Sequence, residues 1–371
     1  MIIGVLKEQL PEKRVSLVPD IVKQLGKQGV TVWVEPDAGA AAFYADDTYI
    51  QAGAAVRPRK EILQQSDLVC SIQMPEDWQL LRAGTILAGV YQPLHHHELM
   101  QQWAAHSLTT YSLDNIPRTT RAQSMDILSS QANIAGYKAV LVAAVSYGRY
   151  FPMFMTAAGT IAPAKVLILG AGVAGLQAIA TARRLGGVVE VFDTRPVVRE
   201  EVMSLGAKFI SVEGAADASH AGGYAVEQTA DYKQQQEALI AASIAKADIV
   251  ITTAQIPGKR APILVSEDMI NSMRAGSVIV DLAAGTGGNT ALTRDQATIR
   301  HNGITIIGDS NLAASMPADA SKLYAKNVFN FLQLLIKDGQ LVNNLQDDIV
   351  KGACITHEGA VTSERLQAVL K

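Results

Sequence analysis

Short runs of apolar residues alternate with helical patterns along almost the whole chain. The runs are rich in valine and isoleucine and lack strict apolar–polar alternation, which is typical of strands covered on both faces. Strands that alternate with helices predict parallel α/β architecture. The strands predicted in the first half of the chain are Ile2–Val5, Val30–Val34, Leu68–Ile72, Ile86–Val90 and Leu108–Ser112. Those predicted in the second half are Val166–Leu169, Val188–Phe192, Ile249–Thr252, Val278–Asp281 and Ile304–Ile307.

Helical patterns lie between these strands, and two of them are long. The predicted helices are Asp20–Gly29, His97–Ala105, Met125–Val145 and Ser321–Lys337. In the last of these, apolar residues recur three and four positions apart and therefore share one buried stripe. Asp319 and Ser321 are its candidate N-caps, and Gly339 is its candidate stop.

The two series of strands predict two Rossmann-like domains with doubly wound parallel sheets, joined by long helices. The chain has 371 residues and a mass of 39.5 kDa, which fits two domains of roughly 150–200 residues. We expect the first domain to consist of residues 1–126 plus 320–371. The second, residues 127–319, is then inserted between the long helices.

Composition excludes several classes of function. Lys and Arg total 32 against 35 for Asp and Glu, a net charge of −3, which offers no basic face for nucleic acid. Two cysteines cannot form a disulfide framework or a four-thiolate metal site, and the consecutive residues His95–His97 cannot all reach one ion, so no metal is expected. Mean hydropathy is +0.15, but no uninterrupted apolar stretch reaches the ~20 residues of a membrane span. With no cationic and then apolar leader after Met1, we expect a cytoplasmic protein.

A glycine motif follows the strand Val166–Leu169 and opens the next helix. It reads Gly170-Ala171-Gly172-Val173-Ala174-Gly175. In this context the first glycine permits a tight turn, the second lets the backbone approach a pyrophosphate, and the third allows close packing of helix on strand. The phosphates then meet free N–H groups at a helix N-terminus.

Asp193 ends the strand that follows, 18 residues beyond Gly175. A carboxylate at this position accepts hydrogen bonds from the ribose hydroxyls of NAD and repels the 2′-phosphate of NADP, by about 4 kcal/mol at ~4 Å and an effective dielectric near 20. Arg195 complicates this interpretation, because a nearby arginine can accommodate NADP. We favour NAD, since Asp193 terminates the strand.

The segment Glu213–Glu237 is polar and carries Gly222-Gly223. Two interpretations stay open: a solvated linker, or a mobile flap over a site.

A block that begins at Arg118 resembles the signature of a known family. It reads Arg118-Thr119-Thr120-Arg121-Ala-Gln123-Ser-Met-Asp126-Ile-Leu-Ser129 and continues to Gly136-Tyr137. It is similar to the NAD(H)-binding alpha subunit of proton-translocating nicotinamide nucleotide transhydrogenase, which shares its fold with alanine dehydrogenase. Further stretches that match this family are Gly170–Gly175 with Asp193-Thr194-Arg195, Gly222-Gly223-Tyr224, Thr252–Lys259, Asp281 with Gly287-Gly288-Asn289, and Leu323–Asn327.

The resemblance implies an enzyme in which NAD(H) bound to this chain exchanges hydride directly with NADP(H) on a partner component. A membrane component couples the transfer to proton translocation, and the chain is expected to be a homodimer at the cytoplasmic face of the inner membrane. The resemblance also implies that four residues lie beside the nicotinamide as catalytic residues: Arg118, Gln123, Asp126 and Ser129. The implied nucleotide-binding residues are Arg118, Thr119, Thr120, Gln123, Gly170, Gly172, Val173, Gly175, Asp193, Thr194, Arg195, Gly223, Tyr224 and Gln255.

Three positions depart from the family pattern. Gly285 stands where relatives often carry an acidic residue, Val226 where the flap commonly has a lysine, and Gln255 where an apolar residue is expected. These changes bear on flap closure and on fine positioning of the nucleotide more than on NAD binding.

Two alternatives remain at this stage. Alanine dehydrogenase chemistry needs a lysine and a histidine near its substrate to exchange protons, and the matching positions here are Gln73 and Gln92. A non-catalytic NAD-sensing module would keep the same glycines and Asp193, so the sequence does not exclude it.

Overall fold

The structure, a computed structural model, describes residues 1–212, 229–256 and 258–370. The strands in chain order are β1 Ile2–Val5, β2 Thr31–Val34, β3 Ala55–Val56, β4 Leu68–Cys70, β5 Ile86–Gly89, β6 Thr109–Ser112, β7 Phe154–Thr156, β8 Gly159–Ile161, β9 Lys165–Leu169, β10 Val188–Phe192, β11 Lys208–Ile210, β12 Ile249–Thr252, β13 Val278–Asp281, β14 Ala297–His301, β15 Ile304–Gly308, β16 Ile336–Lys337, β17 Gln340–Leu341, β18 Cys354–His357 and β19 Ala360–Val361. The helices are α1 Pro19–Lys27, α2 Asp46–Gln51, α3 Arg59–Gln65, α4 His97–Ala105, α5 Ile127–Ser146, α6 Val173–Arg184, α7 Arg199–Ser204, α8 Ala230–Ile244, α9 Glu267–Asn271, α10 Pro317–Leu335, α11 Asp348–Ala353 and α12 Glu364–Leu370. Each of these helices is too short or too polar to cross a membrane.

The chain divides into two compact units. The first contains residues 1–131 and 314–371, and the second contains residues 132–313. The first unit is therefore discontinuous in sequence, and the division at 131 falls within α5. The domain boundaries predicted from the sequence lie at 126 and 319, five or six residues from these divisions.

The first unit is built on an eight-stranded sheet with the order β19-β18-β6-β5-β4-β1-β2-β3. The six strands from β1 to β6 run parallel, and β18 and β19 extend the sheet in antiparallel fashion. Strands β4, β5 and β6 are buried along their whole length. Burial on both faces explains why these strands are continuous apolar runs in the sequence.

The second unit is built on a seven-stranded sheet with the order β11-β10-β9-β12-β13-β15-β14, in which only the edge strand β14 is antiparallel. The strand order reverses between β9 and β12. In open α/β sheets, ligands bind outside the carboxyl ends of the strands at such a reversal. The topology therefore predicts a ligand site at the loops after β9 and β12.

The predicted fold class is confirmed. Predicted and observed bounds coincide for β1, β10, β12, β13 and α4, and the other predicted strands differ by one or two residues at an end. The sequence pattern does not predict the short or exposed strands β3, β7, β8, β11 and β14. It does not predict β18 either, whose partner β6 lies more than 240 residues away in the chain.

Two predicted helix boundaries are wrong. Helix α10 begins at Pro317, a residue suited to a first turn, with Met316 as N-cap and no side-chain cap. Ser321 is buried inside the helix, and its hydroxyl accepts the N–H of Val15 at 3.0 Å. Gly339 has a φ of 72° and lies in the turn between β16 and β17, because the chain leaves the helix into this hairpin.

The linker interpretation of Glu213–Glu237 is wrong for its last eight residues. Helix α8 begins at Ala230, and the hydroxyl of Thr229 caps it by accepting the N–H of Tyr232 at 3.3 Å. Tyr232 is buried, so this helix packs on the unit despite its polar sequence. Residues 213–228, which include the predicted flap glycines, lie outside the described residues.

Helices α5 and α6 approach each other backbone to backbone at Gly136. A Cβ atom built on Gly136 would lie 2.1 Å from the carbonyl oxygen of Ala174 and 2.9 Å from its Cα. Backbone atoms cannot move aside as the end of a flexible side chain can. Because the first turn of α6 lies against this point of α5, position 136 requires glycine.

We predict that Gly136→Ala destabilises the second unit by about 1–3 kcal/mol, the usual cost of overpacking. The matched control is Gly148→Ala, since a Cβ there meets no atom within 4 Å. Urea unfolding should be followed by far-UV circular dichroism, because Trp33, Trp78 and Trp103 all lie in the first unit. Equal stability of the two variants would show that α6 does not approach α5 this closely.

Candidate dinucleotide-binding site

The turn after β9 depends on two glycines. Gly170 has a φ of 105°, and its N–H donates to the carbonyl of Phe192 at 2.8 Å. A Cβ built on Gly175 would lie only 1.9 Å from the carbonyl oxygen of Gly170. The left-handed backbone at the first glycine turns the chain, and the bare Cα of the second lets α6 start against the strand.

The middle glycine leaves the start of α6 open. Gly172 is the N-cap residue of this 12-residue helix, in extended backbone conformation with no side-chain cap. A Cβ built there would meet no atom within 4 Å. The first intrahelical bond runs from the N–H of Leu176 to the carbonyl of Gly172 at 2.8 Å, so the preceding N–H groups have no partner within the helix. A diphosphate fits this position, because it is anionic and needs close backbone N–H donors.

Asp193 follows β10 and is buried, with 7% of its surface exposed. Its Oδ2 accepts the N–H of Ala171 at 2.7 Å, which ties the end of β10 to the glycine turn. Arg195 supplies its backbone N–H and Nε to Oδ1 at 2.8 and 2.9 Å, and its Nη2 to Oδ2 at 2.8 Å. These bonds raise the pKa of the Arg195 guanidinium. Thr194, between the two, is half-buried.

The loop after β12 is fixed to the glycine turn and to the loop after β13. Thr253 donates its hydroxyl to the carbonyl of Gly170 at 3.1 Å. The side chain of Asn289 is fully buried and pairs with Ala254 in both directions, accepting its N–H at 3.0 Å and donating to its carbonyl at 2.8 Å. Asn289 also donates to the carbonyl of Pro262 at 2.8 Å.

Asp281, the last residue of β13, is fully buried and orders the next loop. Its carboxylate accepts the N–H groups of Ala283 and Asn289 at 2.9 and 2.6 Å and the hydroxyl of Thr293 at 2.7 Å. From the sequence alone, Asp281 and Asn289 are only positions that match the family, without an expected role. A buried aspartate at a strand end followed by a glycine-rich turn is the sequence signal that indicates such a role.

Gln255 and Gly285, two of the three positions that depart from the family pattern, lie among the described residues. The exposed side chain of Gln255 donates its Nε2 to the carbonyl of Leu282 at 3.0 Å, so it fastens its own loop to the neighbouring one. A Cβ built on Gly285 would lie 2.9 Å from Cβ of Ser310 and 3.5 Å from a carboxylate oxygen of Asp295. An acidic side chain at 285 would therefore meet an existing carboxylate.

The block around Arg118 lies in the first unit. Arg118, Thr119 and Thr120 are exposed, and residues Thr120–Met125 form a 3₁₀ helix on which Gln123 is also exposed. Arg121 forms a salt bridge with Asp347 at 2.7 Å, which fastens this turn to the start of α11.

Asp126 and Ser129 are joined to each other. The carboxylate of Asp126 accepts the N–H of Ser129 at 2.9 Å and its hydroxyl at 2.6 Å. This contact caps the first turn of α5. The Asp126 carboxylate is therefore engaged by its own helix, one turn of chain after the exposed Gln123.

The predicted site residues thus form two sets. The first unit brings together Arg118, Thr119, Thr120, Gln123, Asp126 and Ser129, and the second brings together Gly170, Gly172, Val173, Gly175, Asp193, Thr194 and Arg195, with Gln255 on the loop after β12. Gly223, Tyr224 and Val226 lie outside the described residues. The assignment of all these residues to nucleotide binding or catalysis stays a prediction.

Comparison with known proteins identifies the family. The alanine dehydrogenase/PNT N-terminal domain matches residues 4–135, and the alanine dehydrogenase/PNT C-terminal domain matches residues 139–364. A protein of Rickettsia prowazekii, named as the first part of NAD(P) transhydrogenase subunit alpha, is 43% identical over 371 residues, which cover 98% of this chain and 96% of that protein.

Solved structures agree with these matches. The crystal structure of transhydrogenase from Sinorhizobium meliloti superposes with a TM-score of 0.89 at 43% identity, covering 97% of this chain and 100% of that one. An L-alanine dehydrogenase superposes with a TM-score of 0.84 at 26% identity, covering 100% and 99% of the two chains. The chain belongs to the alanine dehydrogenase/PNT family and, within it, is a transhydrogenase-type oxidoreductase subunit of a family that uses NAD(H) and NADP(H).

Proposed function

We propose that this chain binds NAD(H) and exchanges hydride directly with NADP(H) held by a second component, while a membrane component couples the transfer to proton translocation. The observation that carries the proposal is the 43% identity, along nearly the whole chain, to a protein named as a portion of transhydrogenase subunit alpha. The geometry of the second unit supports it, because the glycine turn, the open start of α6 and Asp193 provide each feature that a dinucleotide needs. The proposed place of the assembly is the cytoplasmic face of the inner membrane, reached through the partner components.

Within this proposal the second unit holds the adenosine half of the nucleotide. The N–H groups at Val173 and Ala174 would bind the diphosphate, and Asp193 would bind the adenosine ribose. The bound nicotinamide supplies the hydride chemistry itself. The protein has to orient the ring and exclude water, since direct transfer between two nicotinamides creates no proton for a base to remove.

The residues around Gln123 suit this positioning role. Gln123 is exposed and donates and accepts hydrogen bonds without changing charge near neutral pH. The Asp126–Ser129 contact stabilises the first turn of α5 next to it.

Alanine dehydrogenase is the alternative activity, and the first unit argues against it. The N–H of Gln73 donates to the carboxylate of Glu8 at 3.0 Å, and Gln92 has a φ of 45°. Neither glutamine can exchange a proton with an imine or its hydrate near neutral pH, which that reaction requires.

We propose that the chain forms a homodimer through the hairpin of β7 and β8. These strands form a sheet of their own, and all six of their residues are exposed. Met155 is 72% exposed, Met153 60% and Ile161 44%, and Phe154 stacks on the ring of Tyr150. A two-stranded hairpin is marginally stable in water, and exposed apolar patches mark protein contacts. A second copy supplies the same apolar surface across a two-fold axis.

Gly172→Ala tests the diphosphate position. A methyl group enters open space in the folded chain, so the loss of stability should not exceed about 1 kcal/mol, the usual cost of alanine at an N-cap. The methyl would occupy the place of the phosphates and weaken NADH binding roughly ten-fold or more. Titration calorimetry measures the Kd, with Gly148→Ala as the control that keeps wild-type affinity. Unaltered NADH affinity in Gly172→Ala would place the diphosphate elsewhere.

Gln123→Ala tests the positioning role. With partner components present, the rate of NADH-dependent reduction of an NADP⁺ analogue should fall roughly 10–100-fold, while the Kd for NADH stays within about three-fold. The control is Gln24→Ala, a half-buried glutamine on α1 whose side chain donates to the carbonyl of Asp20 in its own helix. Equal losses in rate and affinity would contradict a role in transfer geometry, and NAD⁺ reduction by L-alanine in the wild type would favour the dehydrogenase activity instead.

Met155→Asp tests the hairpin interface. We expect the dimer to dissociate to monomers in size-exclusion chromatography with light scattering, because a desolvated carboxylate would face its own copy. Val369→Asp, at another exposed apolar position, should leave the dimer intact. A monomeric wild type, or a dimer that survives Met155→Asp, would contradict the proposed interface.

A further inference from the structure

The carboxylate of Asp193 has no acceptor position left for a ligand. A carboxylate offers about four lone-pair positions to donors, and among the residues that the structure describes Asp193 receives four hydrogen bonds, one from Ala171 and three from Arg195. Two of the four come from backbone N–H groups that the fold holds in place. The other two come from the Arg195 guanidinium, which binds both carboxylate oxygens as a fork.

The fork occupies the positions that a ribose would take. A ribose presents two neighbouring hydroxyl donors to a carboxylate at the end of the second strand, and the guanidinium presents Nε and Nη2 in the same bidentate manner. The side chains of Asp193 and Arg195 are 5% and 15% exposed, so the pair is shielded from water. When an unphosphorylated ribose binds, its two hydroxyls would therefore replace Nε and Nη2 of Arg195 as hydrogen-bond donors to Asp193.

The ion pair between Asp193 and Arg195 also keeps the arginine from binding a phosphate. Arg195 lies two residues after Asp193, where a guanidinium can accommodate the 2′-phosphate of NADP(H). As long as Asp193 holds its fork, the Nε and Nη2 donors of that fork are directed at the carboxylate and away from a phosphate. Asp193 thus disfavours NADP(H) binding in two ways. Its negative charge repels the 2′-phosphate, and its hydrogen bonds to Arg195 keep that guanidinium from binding the phosphate.

We propose that Arg195 is a latent 2′-phosphate site and that its capture by Asp193 determines the preference of this chain for NAD(H) over NADP(H). The proposal rests on the proposed NAD(H)-binding function of the second unit and adds the residue that sets its specificity. It predicts that loss of the Asp193 carboxylate creates NADP(H) binding only while Arg195 is present.

The test is a double-mutant cycle on the full chain, with NADH and NADPH binding measured by titration calorimetry. Asp193→Asn should increase NADPH affinity roughly ten-fold or more at low salt, and this gain should shrink as salt is raised, because it depends on a charged hydrogen bond. Adding Arg195→Gln to Asp193→Asn should abolish the gain. The matched control adds Arg184→Gln instead, an exposed arginine in the last turn of α6, and should keep it.

The outcomes separate the two proposals. A wild type that binds no NADH refutes the NAD(H)-binding function. A wild type that binds NADH, together with an Asp193→Asn variant that gains no NADPH affinity or keeps its gain without Arg195, refutes the latent site alone. Asp193→Ser gives the same comparison if Asp193→Asn fails to unfold cooperatively, since serine is too short to hold the fork.

Discussion

The second unit depends on close contacts between backbones at the start of α6, which leave no space for a side chain at two glycine positions. The carbonyl of Gly170 faces Gly175 where a Cβ would come within 1.9 Å, and the carbonyl of Ala174 faces Gly136 where a Cβ would come within 2.1 Å. These two contacts fix α6 from both sides, against its own strand and against α5. The open N-cap at Gly172 has its position only because both glycines allow that approach.

Around this helix start, the loops at the carboxyl edge are ordered by buried polar groups. Asp281 and Asn289 are fully buried and yet bonded throughout, to backbone groups of the loops after β12 and β13. A buried polar group without partners costs about 1–3 kcal/mol, so such a network holds together as a whole. These hydrogen bonds join the described parts of the loops after β12 and β13 to each other at the carboxyl edge of the sheet.

The sequence predicts the elements whose residues must be apolar because they are buried. It does not predict the elements and side-chain contacts that depend on neighbours distant in the chain. Strands such as Val278–Asp281 are covered on both faces and must be continuous apolar runs, which makes them recognisable. The first half of helix α8, residues 230–237, has Tyr232 as its one large apolar residue, so this polar stretch resembles a linker although Thr229 caps the helix. The glycine spacing predicts the position of the turn after β9, because the backbone requires glycine at Gly170 and Gly175. The engagement of Asp193 by Arg195 depends on one side-chain rotamer, and the sequence carries both residues without showing that they pair.

That pairing changes how an acidic residue at the end of the second strand is understood. Charge repulsion alone requires only a carboxylate, and any neighbouring cation would weaken it. Here the neighbouring cation is bound by the carboxylate itself, through a fork that leaves the pair compact and shielded. A protein that meets NAD(H) and NADP(H) in the same reaction has to keep the two apart by a large margin. In the proposed site, two ribose hydroxyls would replace the guanidinium donors with hydrogen bonds of their own to Asp193. A 2′-phosphate would gain Arg195 only by breaking the ion pair, and it would then lie beside a carboxylate that repels it, so the pair favours NAD(H).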